Sequence, residues 1–187
     1  MKSKYIIFVV AVIILVIGLG MFSNSRPAQA GKLDAFAQAL KDQGAQFYGA
    51  FWCPHCQDQK KIFGTSKQYL PYVECSNPNQ SMNQLCIGKN IESYPTWTFR
   101  DGITVNSEAE PTVCLPKPGV EGEPAICSTG SSKNGKTWFF PAHKFSIRSA
   151  TDPIREGAIW KFPADAATQG ELPLEFLAQQ IGFTLPE

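Results

Sequence analysis

Apolar and polar positions recur along this chain with several different periods, and the changes of period mark out its elements. The longest apolar run comes first. Tyr5 to Phe22, "YIIFVVAVIILVIGLGMF", carries no charge and is just long enough to cross roughly 30 Å of hydrocarbon as a helix. Between Gly31 and Gly44 the spacing predicts an amphipathic helix. Leu33, Phe36, Ala37 and Leu40 share one face, Asp34 lies near the start and Gly44 suits the C-terminal cap. Gln46 to Trp52 is compact, apolar and aromatic, as a buried strand requires. "CQDQKKIF" continues as a helix ending by Gly64. "YLPYVEC" predicts a second short strand, "NPNQSMNQLCIGKNI" a turn into a short helix, and "YPTWTF" a third strand closed by the Asp101-Gly102 turn.

From about 103 to 156 the chain becomes rich in Gly, Pro and Ser, with short β-like pieces "PTVCLP", "KTWFF" and "KFSIRS". "GAIWKF" reads as the last strand. Leu172 to Phe183 reads as a final amphipathic helix, with Pro173 in its first turn and Gly182 near its end. "PTWTF", "KTWFF" and "AIWKF" are separate strands with similar needs, because their spacing is irregular and the intervening sequence does not match. The order of elements is that of an α/β domain with a small central sheet.

The ends of the first apolar run set the compartment. Lys2, Lys4 and the amino terminus outweigh Arg26, so the start stays cytoplasmic and the rest is exported. Ala28-Gln29-Ala30 before Gly31 offers a cleavage site, so residues 1–30 are a membrane anchor with a short linker or a signal peptide. The run is longer than a usual signal core, which favours the anchor; cleavage after Ala30 would leave a secreted domain. The remainder, residues 31–187, suffices for one domain with a proper core. Net charge is +1 with no basic run, and nothing suggests a nucleic-acid surface. Six cysteines in an exported chain favour disulfides over zinc.

Cys53 and Cys56 form a C-x-x-C directly behind the aromatic strand. At the first turn of a helix, unpaired backbone N–H groups and the helix dipole stabilise an anion. A thiolate at Cys53 would sit there, while Cys56 lies one turn on and is more buried. Cys53 then attacks and is attacked, and Cys56 resolves the mixed disulfide. Pro54 and His55 lie between the sulfurs, and His55 adds a donor or positive charge near Cys53. A stabilised thiolate favours the reduced form and makes the disulfide a stronger oxidant, so the pair is expected to oxidise or isomerise. Zinc would need a second ligand pair, and haem attachment would need His where Gln57 stands. A purely structural C-x-x-C disulfide remains the other reading. Pro95 begins the third strand; most X-Pro bonds are trans, and nothing local marks this one as cis.

Cys75 and Cys86 flank a polar loop, and a disulfide between them is the simplest reading; a second redox pair is the sharper one. Cys114 and Cys127 are expected to staple the 103–156 segment. Six cysteines allow 15 connectivities, so both pairings rest on proximity. Trp138, Phe139 and Phe140, with His143, are expected to form the small core of an added hairpin rather than a partner surface. His143 has no recognisable metal partner nearby, and neither a metal nor a bound cofactor is expected.

Taken together, "FYGAFWCPHCQDQKKIFG", "PYVECS", "LC" and "YPTW" carry a family resemblance. The chain resembles the thioredoxin-like domains fused to, or partnered with, bacterial homologues of vitamin K epoxide reductase. The similarity covers about residues 33 to 100 and, more weakly, 157 to 183. W-C-P-x-C alone is widespread, but "WCPHCQDQK" followed by "YVECS" and then "YPTW" is far more specific. The resemblance implies a thioredoxin-like fold, a small central mixed sheet flanked by helices, with the β-rich segment inserted before the last strand and helix. It implies Cys53 as nucleophile, Cys56 as resolving cysteine and Pro95 in cis, with Tyr94 and Pro95 presenting substrate backbone. It also implies a relay in which a quinone-linked membrane protein oxidises the domain, which passes disulfides to exported, cysteine-containing proteins. This chain has one apolar span, so that partner is expected to be a separate protein.

Three departures qualify the resemblance. Phe47 stands where thioredoxin has a buried Asp that assists proton transfer; Glu74 is a possible substitute proton acceptor, or simply an exposed strand-end residue. The Pro-His dipeptide is that of the strongly oxidising protein DsbA, but the 38 residues between Cys56 and Pro95 leave no room for that protein's helical insertion. Residues 103 to 156 have no counterpart in the compact family pattern. The expected function is an extracytoplasmic, membrane-anchored thiol–disulfide oxidoreductase. The alternative is a binding or assembly module on the same scaffold, with cysteines that only staple.

Overall fold

The computed structural model describes residues 31–114, 136–140, 143 and 145–187. Helix α1 (Asp34–Asp42) buries the predicted face through Phe36, Ala37 and Leu40. Gly44 follows with φ +77, the left-handed conformation that ends many helices, and the chain enters β1 (Gln46–Gly49). Helix α2 (Pro54–Lys61) has Pro54 in its first turn, where a missing N–H costs nothing. A 3-10 turn (Gly64–Tyr69) leads to β2 (Tyr72–Glu74), then α3 (Gln84–Gly88) and β3 (Thr96–Thr98). Asn83 caps α3, its side chain accepting the Cys86 N–H, as Asn does at helix starts.

The second half supplies β4 (Ile103–Asn106), β5 (Thr112–Cys114), β6 (Lys136–Phe140), β7 (Phe145–Ser149), β8 (Ile154–Glu156), β9 (Ile159–Phe162), β10 (Ala167–Gln169) and α4 (Leu174–Gln180). β1 runs parallel to β2, with Phe47 opposite Tyr72, and antiparallel to β3, with Phe47 opposite Trp97. The resulting sheet is mixed, ordered β2-β1-β3-β10-β7-β6-β5, and β4, β9 and β8 form a separate three-stranded sheet.

Three expectations are corrected here. The aromatic run to Trp52 does not stay in the sheet, because the chain must turn at Ala50–Trp52 to deliver Cys53 to the helix start; the Cys53 N–H bonds the Ala50 carbonyl at 3.0 Å. "GAIWKF" is not the last strand. That place belongs to β10, a short "ATQ" with no apolar alternation to announce it, which pairs with β3 on one side and β7 on the other. Thr168 compensates for its polarity by accepting the Trp97 N–H at 3.2 Å. Lastly, the central sheet is not small. The inserted strands β5, β6 and β7 pair onto β10 and extend it.

One apolar core runs through both halves. Phe47 stacks on Trp97 with ring centroids 4.7 Å apart. Trp138 and Phe140 are buried against Phe162, while Phe145 packs on Phe176 of α4. The inserted aromatics thus join the main core rather than forming one of their own, and Phe139 is half-buried. Among the described residues no helix is long and apolar enough to cross a membrane. The apolar run from Tyr5, the Ala28-Gln29-Ala30 stretch and Cys127, the partner expected for Cys114, lie outside the described residues.

Candidate active site

The strand-to-helix turn puts Cys53 at the N-cap of α2 in extended conformation, beside helix N–H groups that lack intrahelical acceptors. Cys53 and Cys56 are both free thiols, but they are not equivalent. Cys53 is 6% exposed, and its Sγ points at the Tyr94 carbonyl, 3.8 Å away. Cys56 is 0% exposed. A Cβ placed at Gly49 would lie 2.8 Å from the Cys56 sulfur, so glycine there lets α2 close onto β1. Burial pushes the Cys56 thiol up to about 12, with the neighbouring Cys53 adding to the rise. Desolvation disfavours the charged form of a thiol, so Cys56 stays protonated at neutral pH when the pair is reduced.

Tyr94 and Pro95, joined by a cis peptide bond, lie across from the cysteines. The Pro95 carbonyl accepts the Gly170 N–H at 3.1 Å, which holds the loop after β10 against it. His55 turns its ring to Glu171, with Nδ1 2.6 Å from Oε1, rather than to a cysteine. Both side chains of that pair are well exposed, so it adds little stability, but it fixes the ring's direction. A groove of about 460 Å³ is lined by His55, Tyr94, Pro95, His143, Gly170, Glu171 and Pro173, and the Tyr94 carbonyl links it to Cys53. His143, expected in a hairpin core, instead lines this groove, with Nε2 3.1 Å from the Asn106 carbonyl.

Glu74 is no exposed strand-end residue. Its Oε1 accepts the Phe51 and Ser76 N–H groups at 3.2 and 2.8 Å, and its Oε2 accepts the Tyr72 hydroxyl at 2.9 Å. These bonds tie the turn before Cys53 to the end of β2; none of them reaches a cysteine. Trp52 adds a second tie, donating Nε1–H to Ser76 Oγ at 2.8 Å while its ring packs edge-on against Tyr94.

Cys75 and Cys86 are joined in a disulfide with Cα atoms 5.5 Å apart. Both are 0% exposed and packed with Tyr48 and Ile91, with Tyr94 against them. A disulfide is attacked by a thiolate that reaches its sulfur, and burial denies that access, so the arrangement fits a staple rather than a second redox pair. Sequence reasoning missed Gln59, which is buried and clamps α2 to the chain before α4 through both the N–H and the carbonyl of Leu172. It also missed Glu171. Gln59 at least follows Cys56 by three positions on the helix; nothing local marks Glu171.

No family model matches this chain. It is similar to an Arabidopsis thaliana protein, thiol-disulfide oxidoreductase LTO1, at 39% identity over 74 residues, covering 37% of this chain and 20% of that protein. The chain therefore spans about a fifth of the length of the curated relative it matches. The partial match supports a thioredoxin-like redox domain. Two thiols of unequal burial at one strand-to-helix turn are the chemistry such a domain needs.

Proposed function

We propose that the domain is a thiol–disulfide oxidoreductase with a thioredoxin-like fold, working outside the cytoplasm to oxidise or isomerise exported proteins. The observation that carries this reading is the asymmetry of the pair: Cys53 at the helix start, slightly exposed and facing the carbonyl of the groove-lining Tyr94, and Cys56 one turn on with no exposure. In the oxidising direction a substrate thiolate attacks the Cys53 sulfur. The Cys53–Cys56 bond breaks, and its electron pair goes to Cys56. A second substrate thiolate then attacks the substrate sulfur of the mixed disulfide, and Cys53 leaves as a thiolate. The substrate has lost two electrons and the domain is left as a dithiol.

A quinone-linked membrane protein similar to vitamin K epoxide reductase homologues would return the dithiol to the disulfide. The domain itself needs no bound cofactor. Tyr5 to Phe22 would hold it at the membrane, or cleavage after Ala30 would release it. The test is oxidation of reduced ribonuclease by the purified full chain, set beside Cys53→Ser. The wild type is expected to restore ribonuclease activity and the variant to match the uncatalysed background. Equal behaviour of the two would leave a binding or assembly module with stapling cysteines.

A further inference from the structure

Cys56 poses a problem that the exchange reaction alone does not solve. When a substrate opens the disulfide, the electron pair lands on a sulfur with no exposure to water, where a charged group is costly. A thiol of high pKa is also a slow leaving group. A proton must reach that sulfur.

We propose that Lys60 handles this proton, delivering it to Cys56 as that sulfur leaves and taking it back when Cys56 attacks. The inference rests on the exchange reaction proposed above. Lys60 follows Cys56 by four positions in α2, and residues so spaced are neighbours on a helix surface. Its Nζ lies 3.2 Å from the centroid of the Tyr72 ring. The Cε2 edge of that same ring and the Cys56 sulfur both lie over Gly49, 2.9 and 2.8 Å from where an added Cβ would sit. The ammonium is therefore held on an aromatic face, a favourable seat for a cation, one helical turn from the buried sulfur.

The other groups around this point are already committed. Lys60 faces Cys56 on its own helix, Glu74 of β2 and Lys67 of the 3-10 turn, with Tyr72 of β2 beneath it; Cys56 also faces Cys53. Glu74 is occupied by three donors. Burial, with Glu74 beside it, pushes the Tyr72 hydroxyl far up, so it remains a phenol. Burial holds the Lys60 amine below its ordinary value, against the pull of Glu74, which eases release of its proton. Lys60 is only half-buried, so it can recover a proton from water. In the forward step the Cys53–Cys56 bond breaks, a bond from Cys53 to the substrate sulfur forms, and the Lys60 ammonium proton passes to Cys56. In the reverse step the neutral amine accepts it.

The test mixes the oxidised full chain with excess dithiothreitol in a stopped-flow cell, from neutral to alkaline pH, for wild type, Lys60→Gln, Lys60→Arg and Cys53→Ser. Lys60→Gln is expected to slow disulfide opening about a hundredfold, the low end for general acid catalysis, and to remove the alkaline fall caused by loss of the ammonium proton. Lys60→Arg keeps the stem and the charge, so it guards against misfolding, but it does not give up its proton and is expected to stay slow. Wild-type rates and pH profile in Lys60→Gln, with Cys53→Ser inert, would overturn the role of Lys60 alone. Full rescue by Lys60→Arg would show that charge suffices and would also overturn it. A wild type no faster than Cys53→Ser would remove the exchange reaction and this inference together.

Discussion

Cells producing the Cys56→Ser protein are expected to yield a ladder of mixed disulfides, each joining a partner protein to Cys53, while turnover falls to background. Cys53 keeps a small exposed surface through which it can be attacked, whereas Cys56 has none. In the proposed cycle Cys56 ends any stalled mixed disulfide by attacking Cys53 from within the fold. A serine hydroxyl has nearly the same shape in the gap beside Gly49 but is no nucleophile towards sulfur. The complexes then persist until an external thiol reaches them. Non-reducing gels read the result directly: dithiothreitol collapses the ladder, and the double variant Cys53→Ser/Cys56→Ser shows none. A ladder that survives in the double variant would mean that another cysteine does the exchange.

The second large effect concerns stability. Replacing both Cys75 and Cys86 with Ala is expected to cost about 2 to 3 kcal/mol, since the bond closes a short loop whose ends are 11 positions apart, and short loops constrain the unfolded chain by about this much. For a domain of this size that corresponds to a fall in Tm of roughly 4 to 12 °C. The loss should also reach the active site, because Tyr94 packs on the buried pair and donates its hydroxyl to the Cys75 carbonyl at 3.5 Å, while its own carbonyl faces Cys53. Thermal unfolding by circular dichroism, with exchange rates measured below the transition, separates the two effects. An unchanged Tm would show that the sealed disulfide adds nothing to the fold.

What could be read in the sequence was what is encoded locally. The aromatic strand, the proline after Cys53 and the helix behind it lie within one continuous stretch, and Cys75 and Cys86 bracket one loop. Tyr94-Pro95 sits at the head of its own strand. The features that escaped depend on partners far along the chain. β10 is three residues with no alternating pattern, and it is a strand because β3 and β7 flank it on both sides. The inserted strands gave a β pattern but no sign of which edge they would join. Gln59 finds Leu172, and His55 finds Glu171, more than a hundred residues away. Glu74 was ambiguous because a carboxylate at a strand end can be solvated or can collect backbone N–H groups. The fold decides that by returning Phe51 and Ser76 to it.

The redox equilibrium of the full chain with glutathione is the most direct test of Cys53 and Cys56 as a reversible, oxidising dithiol–disulfide pair. Cysteine occupancy at each glutathione ratio can be read by alkylation and mass spectrometry. A single two-electron transition confined to Cys53 and Cys56 is expected, with a potential well above the roughly −270 mV of thioredoxin and displaced towards the roughly −120 mV of DsbA. No transition at these two residues, or one as low as that of thioredoxin, would contradict it.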